Sequence, residues 1–475
     1  MLGQAFETII NTHEGKSGFL LIADNADAFI SRIALCELAQ HTLDIQYYIY
    51  HDDASGQLLR HKIVEAADRG VRVRILVDDI NMGSRDTSFK LFDAHPNITV
   101  RIFNPLTNRS YFRNLELVIN FDRAGRRMHN KAFIADSAVA IIGGRNIGDE
   151  YFDARYKTNY ADLDLLTIGP IVKDVMQSFR DYWLSHWSIS IDKISKIHIA
   201  RRHVTSMRKR LKDKWNQSQN MAYFKALRHS HFANRLINDE LEYNWATAQL
   251  FYDKPEKLLS HGLSSMTHMG PMVGSIIGQT VDSIYISTPY LVPGESSLKM
   301  MRDFRKKDVS IYVLTNSLSS TDAIAVHSGY RRYRKQLLHC DVNLYEYKPS
   351  ARNRSLLSRF KKGKQQSSLH AKYIVSDNRY LFIGSSNIDP RSEYLNTEIG
   401  MVIHSEELSQ QAIAIFKMAV SPENSYELKL DRREHLLWRS LDSGISKQYH
   451  SEPGASFWKK TLVMLISFLP VEKLL

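Results

Sequence analysis

Cysteine is nearly absent: the 475 residues contain only Cys36 and Cys340. That excludes a disulfide framework and a cysteine-ligated zinc centre, and it fits a reducing compartment. The chain also lacks any run of eighteen or more apolar residues, so no transmembrane helix is expected. Residues 1–19 show no basic segment followed by an apolar core, so no secretory signal is expected either. What remains is long enough for two or three domains, and 43% apolar content can build sizeable cores. A net charge of +12 points to an anionic partner, whether nucleic acid, a phospholipid surface or a phosphorylated substrate. Solubility alone is the plainer account, since sign never names a partner.

Against these absences stands one stretch written twice. The chain reads His129-Asn130-Lys131, then Asp136, then Gly143-Gly144-Arg145-Asn146. Downstream it reads His370-Ala371-Lys372, then Asp377, then Gly384-Ser385-Ser386-Asn387, with every offset unchanged. One HxKxxxxD arises readily by accident; two in identical register, each trailed by Gly and Asn, do not. The apolar runs around Asp136 and Asp377 predict a β-hairpin or adjacent buried strands in each copy. A period of two puts His129 and Lys131 on one face, and Asn146 returns to it after a glycine turn. Each copy therefore offers an imidazole, an ammonium and a carboxamide to one small volume.

Two histidines, two lysines and two asparagines suit substitution at a phosphodiester. Lys131, Lys372, Asn146 and Asn387 would hold the non-bridging oxygens of a five-coordinate transition state. One neutral imidazole would attack phosphorus, and the other would donate to the leaving alkoxide and then deprotonate the acceptor. No cofactor and no metal are expected. The imidazoles need carboxylates to orient them. Asp136 and Asp377 are candidates at strand ends, with turn capping as the alternative reading. Asp162 and Glu398 follow their respective histidines and open the next apolar strand, which makes them better ones.

The chain in order alternates strand and helix in each half. Strands are expected at 43–50, 71–77, 100–103 and 161–168, with helices at 28–40, 56–69 and 172–187. The second half repeats this: strands at 281–288, 309–315, 342–347 and 397–404, helices at 296–307, 322–338 and 406–420. The implied fold is α/β, two pseudo-twofold-related lobes of mixed sheet flanked by helices, sharing one site at the lobe interface. Residues 1–190 form the first lobe, 191–250 a basic helical insert, 251–420 the second lobe and 421–475 a C-terminal extension. The insert reads either as a helix with a solvated basic face or as a patch for anionic headgroups. A second basic run, 352–364, precedes the second motif and reads as a loop at the site rim. The apolar tail at 457–475 is too short to span a bilayer; it either lies in the interface or docks on the protein.

These residues resemble the phospholipase D superfamily, and their surroundings its bacterial cardiolipin synthase branch, the C-type within it. The matching passages include 66–79, 126–152, 287–293, 315–333, 369–400 and the closing LPVEKLL. The resemblance runs from about residue 20 to the end and is weakest in the insert. It implies transfer of a phosphatidyl group to the glycerol headgroup of phosphatidylglycerol through a covalent phosphohistidine, with His129 as nucleophile and His370 as acid and base. It also implies an acidic partner for each histidine, matching Asp162 and Glu398. The implied partners are phospholipids (phosphatidylglycerol as acceptor, with the donor left open between phosphatidylglycerol and phosphatidylethanolamine) and an anionic membrane surface, with no nucleic acid. The implied location is peripheral, on the cytoplasmic face of the bacterial inner membrane. Three alternatives use the same residues or none of them: a hydrolase releasing phosphatidic acid, a phosphodiesterase nuclease, and a non-catalytic scaffold. His327 is read either as lining the acceptor pocket or as a satisfied, partly buried histidine.

Overall fold

A computed structural model describes residues 2–109, 115–154, 158–219, 234–235, 240–260, 262–351, 366–442 and 444–468. The basic run at 352–364 and the closing residues 469–475 lie outside the described residues. The first half contributes β1 (Ser17–Ile22), β2 (Thr42–Tyr47), β3 (Arg72–Asp78), β4 (Ile98–Phe103), β5 (Ala132–Ala135), β6 (Val139–Gly143), β7 (Thr158–Ala161), β8 (Asp164–Ile168) and β9 (Ser188–Ser190). The second contributes β10 (Asn244–Tyr252), β11 (Ser283–Ser287), β12 (Ser310–Asn316), β13 (Asn343–Tyr347), β14 (Gln366–Leu369), β15 (Tyr373–Ser376), β16 (Tyr380–Gly384) and β17 (Ile399–His404). Three further strands close the chain: β18 (Ser425–Leu430), β19 (Leu436–Asp442) and β20 (Ile445–Tyr449).

Strand pairing shows the duplication directly. β1 and β10 meet antiparallel, from Ser17 opposite Ala246 to Phe19 opposite Asn244, and form a seam. Outward from the seam one side runs β1-β8-β6-β5-β2-β3-β4-β9. The other runs β10-β17-β16-β15-β11-β12-β13-β18, with the same parallel and antiparallel pairings in the same places. The two lobes are thus pseudo-twofold copies in one mixed sheet of eighteen strands. Both motifs form the expected hairpins, β5–β6 and β15–β16.

One face of the sheet is sealed by the helices Val172–Leu184 and Glu406–Ala419. Beneath them a single core joins Leu165, Phe179 and Tyr182 of the first lobe to Leu314, Tyr373, Met401 and Phe416 of the second. Burial of this apolar surface, at about 25 cal/mol per Å², is what holds the lobes in register across the seam. β10 begins inside the stretch read as an insert, so residues 244–250 belong to the sheet. Preceding them, the Arg201–Gln219 helix packs Met207 and Leu211 on the first lobe and leaves Arg201, Arg202, Lys209 and Lys212 exposed. The strand expected at 161–168 is broken into β7 and β8, and Asp162 stands in the break. Among the described residues no helix is long and apolar enough to cross a membrane.

Candidate active site

Each motif histidine is fixed by backbone from the opposite lobe. β7 and β14 pair parallel, from Thr158 opposite Gln366 to Ala161 opposite Leu369, in a small second sheet that joins the lobes. The ladder ends where the His370 N–H donates to the Ala161 carbonyl at 2.7 Å. Its symmetry mate is the parallel bridge of Met128 to Thr397, where the His129 N–H donates to the Thr397 carbonyl at 2.8 Å. The residues after Ala161 and Thr397 are Asp162 and Glu398. Hence each acid is delivered to the other lobe's histidine.

The side chains complete that exchange. His129 Nδ1 donates to Glu398 Oε2 at 2.8 Å, with Oε1 at 3.0 Å. His370 Nδ1 donates to Asp162 Oδ2 at 2.6 Å. The sequence reading set each acid beside the histidine of its own repeat; the lobes cross them. A donating Nδ1 leaves the lone pair of a neutral ring on Nε2. Lys372 Nζ donates to the His370 carbonyl at 2.6 Å and lies 3.1 and 3.5 Å from the two ring nitrogens. Lys131 Nζ makes the matching bond to the His129 carbonyl.

Burial and crowding set the charges. His129 is pushed well below the usual imidazole range, by burial first and then by Lys131, Lys372 and His370. Lys131 is pushed down to about 7, again by burial first, with Glu398 opposing and Lys372 adding. Burial also lowers His370 and Lys372, with Asp162 opposing in both cases. Groups of opposite lobes feel one another because they line one poorly solvated volume. The two acids diverge. Burial would raise Asp162, but His370 and Lys372 overcome it and hold its carboxyl below the ordinary range. Burial raises Glu398, against the opposing pull of Lys131 and the hydroxyls of Ser385 and Ser392.

Other residues named from the sequence have local roles. Asn146 is buried, accepts from the Ile49 N–H at 3.1 Å and donates to the Tyr151 hydroxyl at 2.8 Å. Asn387 is also buried; its backbone N–H donates to Ser392 Oγ at 3.2 Å, and its side-chain oxygen accepts no hydrogen bond from the described residues. Asp136 and Asp377, read as catalytic candidates, need correction. Asp136 accepts the N–H groups of Gln40, His41 and Thr42 at 2.7–2.8 Å, and Asp377 those of Val281, Asp282 and Ser283 at 2.8–3.2 Å. Both close hairpin turns at positive φ, five residues and so about 16 Å of strand beyond the motif lysine. They brace turns and do not reach the imidazoles. His327 is the buried, satisfied histidine of its two readings: it sits 3.0 Å from Arg334 and 3.7 Å from Glu452, and burial pushes it down to about 4.

The structure adds residues that the sequence did not single out. Ser385 and Ser392 both donate to Glu398. Tyr48 packs edge-on to His129, 4.9 Å between ring centres. Tyr151 and Tyr160 flank His370 at 5.2 and 5.0 Å. Exposed Asp322 accepts from the hydroxyls of Tyr160 and Tyr290, both at 2.9 Å, and so ties the lobes beside His370. Among the described residues no group of three or more His, Cys, Asp or Glu side chains is arranged to hold a metal.

The doubled sheet and the crossed His–acid pairs define a phospholipase D-superfamily enzyme. A family model described as "Cardiolipin synthase, PLD-like domain" matches residues 33–183 and 273–420, and the chain belongs to that family. It is 39% identical to "Cardiolipin synthase C" of Escherichia coli (strain K12) over 479 residues, covering 100% of this chain and 99% of that protein. It is 25% identical to "Major cardiolipin synthase ClsA" of Bacillus subtilis (strain 168), covering 90% of this chain and 73% of that one. The crystal structure of phosphatidylserine synthase from Haemophilus influenzae Rd KW20 has the same fold, with a TM-score of 0.60 at 13% identity, covering 99% of this chain and 98% of that one.

Proposed function

We propose that the enzyme moves a phosphatidyl group from one phospholipid to the glycerol headgroup of phosphatidylglycerol, giving cardiolipin, at an anionic membrane surface. One observation carries this reading: two imidazoles from opposite lobes are each held at Nδ1 by the other lobe's acid, in one buried field. Neutral His129 attacks phosphorus through Nε2 and forms an N–P bond while the P–O bond to the donor headgroup breaks. Protonated His370 gives its proton to the leaving alkoxide. It then takes the proton of the acceptor hydroxyl, whose oxygen attacks phosphorus, breaks the N–P bond and releases His129. Lys131 and Lys372 offset charge on the non-bridging oxygens, and Asn387, whose carboxamide oxygen is not tied down as that of Asn146 is, is the asparagine freer to turn its amide N–H toward them.

The assignment of roles follows from the two acids. Asp162, held ionised, stabilises an imidazolium on His370, as an acid needs. His129, lowered furthest, stays neutral as a nucleophile must. The test is purified protein with labelled phosphatidylglycerol and phosphatidylethanolamine, with and without chelator, beside His129→Ala and His370→Ala. Expected is chelator-resistant cardiolipin, with each variant down by at least about 10³-fold. Phosphatidic acid as the main product, or loss of activity on chelation, overturns the reading.

A further inference from the structure

The C-terminal helix, Phe457–Ile466, is capped by Ser456 and built the wrong way round for a helix on a soluble surface. Its inward stripe is Lys459, Val463 and Ile466: Lys459 Nζ donates to the Thr321 carbonyl at 3.2 Å, Val463 is fully buried, and Ile466 packs near Val292, Val326 and Tyr333. Outward it turns Phe457, Trp458, Leu462, Leu465 and Phe468, between 45% and 78% exposed. Large side chains gathered on one solvent face mark an interaction surface. The charge around them selects the occupant. Neither residues 457–468 nor the supporting helix Ile324–His339 contains an Asp or Glu, while Lys335 and Arg332 are exposed and Lys460 half-exposed beside the apolar face.

Aromatic and aliphatic side chains flanked by cations, with no acidic residue on either helix, fit the headgroup–acyl boundary of a bilayer carrying anionic lipid. The position matters as much as the composition. Thr321, which receives Lys459, precedes Asp322, and Asp322 holds the Tyr160 hydroxyl 2.9 Å away beside His370. We infer that this helix is the membrane-docking element, and that its insertion seats the Asp322–Tyr160 rim of the site against the bilayer that supplies both lipids. The supply of both lipids rests on the phosphatidyl-transfer reading; the docking does not.

The test is flotation with vesicles of phosphatidylcholine alone and of phosphatidylcholine with phosphatidylglycerol in equal parts. Wild type and the triple variant Trp458→Ser/Leu462→Ser/Leu465→Ser are compared in an active and in a His129→Ala background, so that binding is read independently of chemistry. Partitioning of the triple variant onto mixed vesicles falls roughly 100-fold, while its turnover of monomeric dihexanoyl phosphatidylglycerol stays at the wild-type value. Lys335→Glu/Lys460→Glu keeps the weak binding to neutral vesicles and loses the gain from phosphatidylglycerol. Vesicle binding unchanged in the triple variant overturns the proposal, as does a parallel loss of turnover on the monomeric lipid. A fall in oligomeric mass with vesicle binding intact also overturns it, making the face a contact between two copies of the chain.

Discussion

The two halves of the site are copies in backbone and not in chemistry. Ser385 and Gly144 occupy the same offset from their histidines, at the ends of β16 and β6. The Ser385 hydroxyl donates to Glu398. At Gly144 a Cβ would lie 2.2 Å from Asp162 Oδ1, so only glycine leaves room for the shorter acid. One half-site thus dilutes its carboxylate's charge among two hydroxyls and an imidazole. The other leaves Asp162 close to His370, with one backbone N–H, that of Leu163, at its second oxygen. Duplication supplied two acid–imidazole pairs, and divergence at the acid itself, at the Gly144/Ser385 offset and at Ser392 sets their carboxylates apart: burial raises Glu398, while His370 and Lys372 hold Asp162 down.

The largest effect should separate the two histidines. With substrate present, His370→Asn is expected to accumulate a phosphatidyl adduct on His129, seen as an added lipid mass on the peptide holding residue 129, because the leaving group departs slowly and the acceptor is hardly activated. His129→Asn forms none. Both lose about 10³–10⁶-fold in turnover, so the mass shift and not the rate assigns the roles. An adduct on His370 reverses the comparison.

Next come the acids. Asp162→Asn is expected to lower kcat/KM by about 10²–10⁴-fold, and Glu398→Gln by less, since Glu398 carries the weaker share of charge. The pH profile sharpens this. Because His129 lies well below the ordinary value, the acid limb of kcat/KM falls below about pH 6.5. Removal of the Asp162 carboxylate takes away a charge that raises His370, so the protonated ring is lost at lower pH. The alkaline limb then moves down in Asp162→Asn and stays in place in Glu398→Gln; equal shifts would remove the distinction between the half-sites.

How much of this was legible beforehand follows from what a sequence records. The repeat, its hairpins, the two α/β lobes and the family all lie in local spacing, which strand periodicity exposes. The crossing of acids between lobes does not, because β7 meets β14 across more than two hundred residues and no local period encodes it. Ser385 and Ser392 escaped because serine is common and its role depends on a strand packed beside it. β18–β20 escaped for another reason: β18 is short, although Tyr426, Leu428 and Leu430 alternate with Glu427 and Lys429, while Arg439 breaks the apolar run of β19 and β20 is largely polar and exposed, as suits strands at a sheet end. The strand read through 161–168 failed at its most useful residue, since the break that spoils the pattern is what frees Asp162.

The asymmetric pair Gly144 and Ser385 gives a smaller, directional test. Gly144→Ala forces Asp162 away from His370 and should cost roughly 100-fold in kcat/KM, together with stability. Ser385→Ala keeps the Cβ and removes one charge-assisted donor, at the low end of the roughly 1.5–3 kcal/mol such a bond contributes because Ser392 still donates to Glu398, or roughly ten-fold in rate. Similar losses in both would mean that the two positions do the same work.

The smallest effect on catalysis belongs to the aspartates that give the motif its third letter. Asp136 and Asp377 each gather backbone N–H groups at a turn far from the imidazoles. Asp136→Ala leaves three donors to water and puts a side chain without a local hydrogen bond at φ 50°. About 1–3 kcal/mol of stability is therefore lost by denaturant titration, while kcat per folded molecule is unchanged. Asp136→Asn keeps an acceptor and a residue that tolerates positive φ, so about half of that loss should return. The same pair at Asp377 should behave alike, because here the two lobes are true copies. A fall in kcat beyond about ten-fold with stability retained would return these residues to the chemistry, and would mean that a brace at one end of a hairpin sets the angle of the histidine at the other.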